Sequence, residues 1–472
     1  MADPYEKSYQ HKNDSGDDYD FGTASGSGTG PSELVESRPG GLRGFYYHPT
    51  TQVVLLGFVC FMCPGAFNSL NGLGAGGQID NTTSANANSA LYGTFAGAAF
   101  FSGSINNVIG PKRSLLFGSM GYALYIGSYL AMNVHRNAGP FVVAAGAILG
   151  ALAGLLWTAQ GSLMLAYPTE DQKGKYIGIF WSIFNLGGVV GAAISLGNNF
   201  HSTTNSVSNG TYVNWLPRTV HYWSPDTAAD GRPKQDEIWG LYIALRTDPL
   251  VVLLFPMFFA SNWFYTWQFN EYNAALFNIR ARSLNNLLYW MSQIIGSISI
   301  GILLDQHQFR RRVRAFAGWG ILVFGVFAVH IWAYFYQRNY THESIPPDSE
   351  KIDIYDSAYV GHMLLYICCG LLDSMWQTTA YWMMGAMSND PAKLAYFAGF
   401  YKSIQSAGAA GVWRADAMKL PYMNIFISTW ALLVAGLVFL LPMIHLRVND
   451  HTDYEDEMVA HMDDLGELRH DR

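Results

Sequence analysis

Charge is what this 472-residue chain has least of: Asp, Glu, Lys and Arg make up 13% of it, roughly half the share of an ordinary soluble domain. A solvated globular surface is therefore excluded over most of its length. Cysteine is scarce as well. Of the four, Cys60 and Cys63 form a C-x-x-C and Cys368 and Cys369 are adjacent, all inside apolar runs. No second pair stands at zinc-like spacing, so these read as buried thiols packing as small hydrophobes, and neither a metal nor a cofactor is expected. No G-x-x-x-x-G-K-[S/T] occurs, which argues against an ATP-driven pump. No basic, aromatic surface suits a nucleic-acid partner. Histidines are scattered without a hydrolytic triad, so no enzyme is expected, and His330 on its apolar face reads as packed. The opening MADPYEKSYQHKNDSGDDYD has no apolar core behind a basic end, so a first transmembrane helix, rather than a cleaved signal, would target the chain.

What the chain does have is grease. Half its residues are hydrophobic and its charge is confined to the first fifty residues, short loops, 213–247 and the last twenty-five. Apolar runs predict helices over 51–71, 89–109, 114–134, 140–166 and 176–198, then 248–269, 284–304, 315–337, 358–387, 395–416 and 422–445. Each approaches the roughly 20 residues that cross a bilayer as helix. The fold class is all-α: a polytopic membrane protein in a lipid bilayer. Residues 1–44 read as a disordered cytosolic tail and 447–472 as an acidic, solvated cytosolic tail.

Loop cations set the orientation. Lys112 and Arg113, Lys173 and Lys175, and Arg310, Arg311, Arg312 and Arg314 all become cytoplasmic if the N-terminus is inside. The sequons at Asn81, Asn209 and Asn339 then fall in outer loops and are glycosylation candidates, while Asn13 falls in the cytosolic tail. Either one crossing is missing or the second half is inverted, and an inverted half would put four arginines outside, which favours the missing crossing. The fifth helix ends outside, yet the helix starting near Pro249 must begin inside, and 201–247 contains no apolar run of spanning length. The chain thus divides into a bundle over 45–200, a polar connector over 201–247 lacking the expected sixth helix, and a second bundle over 248–446.

Two segments repeat across the bundles. GSINNVIGPKR at 103–113 and GILLDQHQFRR at 301–311 share G-x-x-x-[N/D]-x-x-[G/Q]-x-[K/R]-R. Gly103, Asn107, Gly110, Lys112 and Arg113 thereby match Gly301, Asp305, Gln308, Arg310 and Arg311. YIGIFWSIFNLGG from Tyr176 matches FAGFYKSIQSAGA from Phe397, Trp157 corresponds to Trp376, and Pro64 and Pro256 interrupt the opening helix of each half. The corner pattern suits a latch: the glycine lets backbones approach, Asn107 is placed to cap a neighbouring helix, and the cations stay in water.

The corner resembles the signature G-x-x-x-D-x-x-G-R-[R/K] of the major facilitator superfamily, departing from it by Asn107 and Pro111. More narrowly, CPGAFNSLNGLGAGG at 63–77 and LDSMWQTTAYWMMGAMSNDPAKLAYFAGFYKSIQSAGAAGVWRAD at 372–416 resemble the fungal branch of the Unc-ninety-three-like (ion channel regulatory protein) family. The likeness covers most of 45–447. It implies two six-helix halves and, among relatives, either transport or regulation of channels and receptors.

Candidate site residues follow. Asp373 lies mid-helix, where a lone carboxylate is costly and faces a partner or cavity. Lys402 in the next helix lies within reach, giving a functional charge pair or proton site, or else a structural ion pair. Asn68, Gln160 and Asn185 in the first half, and Asn262, Gln268 and Glu271 in the second, are polar lining or helix-to-helix glue. Arg414 and Asp416 read as an interface pair. GLGAGG at 72–77 matches G-x-G-x-x-G, but without a βαβ context it loosens a helix end rather than binding a nucleotide. The reading is a secondary transporter of a small solute, with H+ coupling, gated at the two glycine-basic corners. The alternative is a non-transporting partner of an ion channel or receptor. Plasma membrane, endomembrane or vacuole all fit.

Overall fold

The computed structural model describes residues 45–448 apart from short breaks in loops, plus 461–462 and 468–469; between 200 and 249 it describes only 201, 207, 211, 245 and 246. The two tails, and the reading that 201–247 lacks a helix, therefore fall largely outside the described residues.

Among the described residues, one long helix stands at each apolar run: α1 Pro49–Gly72, α2 Asn81–Ile109, α3 Pro111–Val134, α4 Gly139–Ala166, α5 Lys173–Asn199, α6 Pro249–Ala274, α7 Ile279–Leu304, α8 Arg311–Gln337, α9 Tyr359–Gly385, α10 Pro391–Ala417 and α11 Tyr422–Arg447. Proline supplies several starts, because its missing N–H is idle in the first helical turn: Pro49, Pro111 and the Pro140 of α4 all stand there. Asn278 caps α7 by accepting the Ala281 N–H at 3.0 Å.

One boundary corrects the sequence reading. α2 begins at Asn81 rather than 89, because polar residues of its early turns, Ser84 and Asn88, are buried rather than solvated. Ser84 Oγ lies 3.0 Å from the Tyr129 hydroxyl, and Tyr125 donates to Asn88 Oδ1 at 3.0 Å. These bonds to α3 replace the water that the polar run seemed to require.

Eight of the long helices are apolar enough over eighteen residues to span a membrane; α2, α9 and α10 are not among them. The last two are the most enclosed by their neighbours, which shields polar side chains from lipid. The peripheral helices show the opposite face, with Phe324 of α8 76% exposed and Phe101, Met120 and Val438 also exposed. Exposed aromatics and aliphatics at this density fit hydrocarbon, not water.

The opening helix of each half is irregular where the sequence places proline. α1 widens to a π-turn over Phe61–Gly65 around Pro64. α6 passes from a 3-10 segment through a short α-helix holding Pro256, breaks at Ser261–Trp263, and ends in a π segment, Trp267–Ala274. Pro removes a backbone donor and disturbs the ladder of bonds.

Packing between the halves is reciprocal. α2 lies against α10, and α5 lies against α7. Substituting α6–α10 for α1–α5 turns one pair into the other, as a pseudo-two-fold repeat requires. The corners at 110–113 and 304–311 share one end of the bundle, since the start of α5 touches Asp305. Ser195 near the end of α5 meets Ser283 near the start of α7 at the opposite end, where Asn273 at the end of α6 also donates to Gly72 O. Asn199 and Pro249 thus stand at opposite ends of the bundle.

Candidate functional site

The second half carries a buried polar core built on helical spacing. Asp373 and Gln377 are one turn apart on α9, and Lys402 and Gln405 are one turn apart on α10, so each pair shares a face. Asp373 is 2% exposed. Its Oδ2 accepts from Gln293 Nε2 at 2.6 Å and lies 3.0 Å from the Tyr289 hydroxyl; its Oδ1 is 3.3 Å from Gln377 Nε2. Tyr289 also reaches Gln268 Oε1 at 2.8 Å. The break in α6 adds acceptors. Ser261 O and Asn262 Oδ1 lie 3.2 and 3.3 Å from Gln377 Nε2, the use that membrane helices make of carbonyls freed by unwinding.

Lys402 does not pair with Asp373, which corrects the sequence expectation. Its ammonium donates to Gln405 Oε1 at 2.8 Å and sits over the rings of Trp157, Tyr401 and Tyr381, at 4.4, 4.8 and 5.4 Å. Amides separate it from the carboxylate: Gln405 Nε2 donates to Gln377 Oε1 at 3.1 Å, and Gln377 in turn reaches Asp373. Counting depth along two helices located both groups near mid-bundle but could not fix which way each faced.

Between the halves lies a partly open cavity with about 590 Å³ of atom-free space, open solvent included. The first half contributes Phe67, Asn68, Tyr92, Trp157, Trp181 and Phe184 among others; the second contributes Asn262, Tyr265, Gln293, Gln377, Lys402 and Gln405. The repeated segments explain this division. Aligning Tyr176 with Phe397 sets Trp181 opposite Lys402 and Phe184 opposite Gln405. The same two positions of each half face the cavity, aromatic in one copy and polar in the other.

Other predicted residues fall around it. Gln160 accepts from the Tyr381 hydroxyl at 3.2 Å, joining α4 to α9 across the halves. Asn185 is fully buried, with neither amide atom hydrogen-bonded among the described residues. Glu271 is also fully buried, in the π segment of α6, and its carboxylate oxygens have no hydrogen-bond partner among the described residues. Arg414 and Asp416 are not a pair: Arg414 donates to Asn86 Oδ1 at 3.0 Å, and Asp416 accepts from Asn270 Nδ2 at 2.7 Å. Residues two apart on a helix point to different sides. Asn339 is exposed after α8, at the end opposite the basic corners; Asn81 begins α2 at that same end, and Asn209 lies outside the described residues.

The two corners differ. Gly110, at φ +83°, turns the chain directly from α2 into α3, whereas Gln308 stands in a longer turn between α7 and α8. A Cβ on Gly103 would stand 2.9 Å from the Tyr396 ring of α10, and one on Gly301 would stand 2.8 Å from Gly174 O of α5. Asp305 accepts the backbone N–H of Gly174 at 2.8 Å and that of Lys175. These are the second and third residues of α5, whose own N-cap, Gln172, makes no side-chain cap bond. The second half therefore caps a helix of the first. Nearby, Lys173 donates to Gly385 O, and to Ser388 O at 2.9 Å, at the end of α9, where carbonyls lack helical partners. In the same corner Arg314 donates to Leu304 O at 2.7 Å, while Arg310 is exposed.

At the opposite end GLGAGG docks rather than frays. Buried Arg282 donates to Leu73 O and Gly74 O, both at 2.8 Å. Gly74 has φ +74°, and a Cβ there would lie 2.3 Å from Phe269 O. The glycines permit close approach to α6 and α7.

Gln293, Gln377, Gln405, Tyr289 and Tyr401 escaped sequence reasoning. A signal existed for two of them: the i, i+4 spacing of Asp373 and Gln377 and the i, i+3 spacing of Lys402 and Gln405.

A mid-bundle cavity between two repeated halves, bounded by reciprocal helix pairs, defines a membrane protein of the major facilitator fold. The fucose:proton symporter of E. coli superposes with a TM-score of 0.53 at 12% identity, over 84% of this chain and 99% of that one. The E. coli xylose transporter superposes at 0.51 and 14% identity, over 84% and 96%. At these identities the likeness is one of fold. The chain belongs to the UNC93-like family. It is 44% identical to a UNC93-like protein of Schizosaccharomyces pombe over 88% of this chain and 86% of that protein. It is 39% identical to UNC93-like protein 1 of Arabidopsis thaliana, over 87% and 93%. The family described as "Ion channel regulatory protein UNC-93" matches residues 75–220.

Proposed function

We propose that this UNC93-like protein is a secondary transporter of a small solute, working by alternating access. The observation that carries the reading is the central cavity lined by equivalent positions of the two copies. It supports binding near mid-membrane, with one half rocking on the other. The bundles run over 45–200 and 248–446, and the corners around Gly103–Arg113 and Gly301–Arg311 act as the cytoplasmic gate, where Asp305, Lys173 and the α2–α10 contact tie the halves. Both termini are cytosolic, because the basic corners belong inside; Asn81 and Asn339 then carry glycans, in the plasma membrane or an endomembrane such as the vacuole. Asp373, buried among donors just behind the cavity wall, is the coupling group for H+, and Asn68, Asn262 and Lys402 contact the solute.

The description of the family as ion channel regulatory favours a second reading, in which the bundle binds a channel or receptor and carries nothing. Uptake into proteoliposomes decides. Transport reduced tenfold or more by Asp373→Asn and dependent on an imposed proton gradient supports the transporter; wild-type protein that carries no solute, or an unaffected variant, supports the regulator.

A further inference from the structure

The charge facing the cavity is unbalanced. Of the residues lining it, Lys402 alone is ionisable to a cation and none is Asp or Glu. Asp373 offsets it only from a distance, since its carboxylate is bonded to Tyr265, Tyr289, Gln293 and Gln377 and makes no salt bridge to Lys402 among the described residues. Among the described residues Lys402 makes no ion pair. It is 4% exposed, and its single oxygen acceptor is Gln405 Oε1, which leaves two N–H donors on aromatic faces. A buried ammonium with so little compensation is costly unless an anion arrives. A second donor waits on the facing wall: the indole N–H of Trp181, 3% exposed, has no acceptor. Trp181 and Lys402 stand beside the same ring, that of Tyr381, at 5.8 and 5.4 Å, and both line the cavity. Apart from Asn68 and the hydroxyls of Tyr92 and Tyr122, the rest of the first-half wall is apolar and aromatic, with Phe67, Phe95 and Phe184 among its residues.

Taking the cavity to be the ligand site, we infer that it binds a small organic anion, a monocarboxylate on an aromatic or apolar body. Lys402 and the Trp181 indole take the carboxylate, and the first-half rings take the body. The duplication supplies both halves of the recognition: the aligned positions hold Trp181 in one copy and Lys402 in the other. A neutral or cationic solute of the same shape leaves the ammonium unpaired and is refused.

Calorimetric titration of the full-length protein in nanodiscs tests this with phenylacetate, phenylacetamide and phenethylamine. The acid is expected to bind at least tenfold more tightly than the amide, with the amine weakest. Lys402→Met brings the acid down to the affinity of the amide, Lys402→Arg keeps the preference, and Trp181→Phe weakens the acid several-fold. An amide or amine that binds as tightly as the acid overturns the inference. So does an undiminished acid preference in a monodisperse Lys402→Met protein, or the absence of binding by all three probes. If Lys402→Met fails to fold, the wild-type ranking and the other two variants still decide. An acid that binds selectively but is not carried into proteoliposomes leaves this inference standing and removes the transporter reading alone.

Discussion

The bond between Asp305 and α5 makes a quantitative prediction. The first four N–H groups of a helix have no partner within it, and here those of Gly174 and Lys175 find theirs on a residue 131 positions away from Gly174. Asp305 acts as an N-cap supplied by the other half. Losing an Asp cap to Ala costs about 0.5–2 kcal/mol, and losing the negative charge at the helix N-terminus costs about 0.3–1 more. Asp305→Ala should therefore weaken the tie by about 1–3 kcal/mol, or roughly 5- to 150-fold in its equilibrium constant. Asp305→Asn keeps an acceptor of similar capping strength and should lose only the charge contribution, at most about fivefold. Hydrogen–deuterium exchange of a peptide covering the start of α5 reads this directly. Protection of two amides should fall in Asp305→Ala and persist in Asp305→Asn. Unchanged exchange in the Ala variant would sink the trans-cap, and equal loss in both would show that charge, not capping, holds the corner.

Other outcomes follow from the same geometry. A Cβ on Gly150 would lie 2.0 Å from Leu91 O, while Gly93 and Gly97 have open space. Gly150→Leu should thus abolish a monodisperse peak on size exclusion, while Gly93→Ala and Gly97→Ala leave it intact. Glu271 buries a carboxylate without partners, a cost of about 1–3 kcal/mol. Glu271→Met should raise the thermal midpoint, and a lower midpoint would mean that the carboxylate is engaged by a bound group. Asn339→Gln and Asn81→Gln should each remove one glycan by gel mobility; loss at Asn81 with a bare Asn339 would separate the two ends that the helices place together.

The number and order of the long helices among the described residues were legible because a bilayer sets a minimum apolar length, and runs such as 140–166 meet it without reference to anything else. The shared end of the two basic corners was legible for the same reason, since loop cations report a compartment. Details resolved by neighbours were not. NTTSANANS reads as loop until Tyr125 and Tyr129 of α3 are there to receive Ser84 and Asn88. Asp373 and Lys402 were found because charge is conspicuous in grease, but their pairing was misjudged because depth is readable along a helix and azimuth between helices is not. The glutamines were overlooked since an isolated amide in an apolar run carries little sequence signal. Gln377 matters only once Asp373, Ser261, Asn262 and Tyr401 surround it.

That misjudged pair changes what the cavity is able to do. Had Asp373 and Lys402 closed into a direct bridge, each would have neutralised the other, and a buried bridge adds little for the desolvation it costs. With Gln405 and Gln377 between them, the ammonium keeps donors turned to the cavity while the carboxylate is satisfied from behind. On the proposed transport reading the two charges are separately addressable: one by a solute entering between the halves, the other by a proton reaching the core of the second half. They remain linked through an amide that must reorient if either end changes. Gln377 is the residue on which that linkage turns, because its oxygen faces Gln405 and Tyr401 while its nitrogen faces Asp373. A duplicated scaffold would by itself give a symmetric cavity. It is the replacement of an aromatic pair, Trp181 and Phe184, by Lys402 and Gln405 at the aligned positions that gives this one a direction.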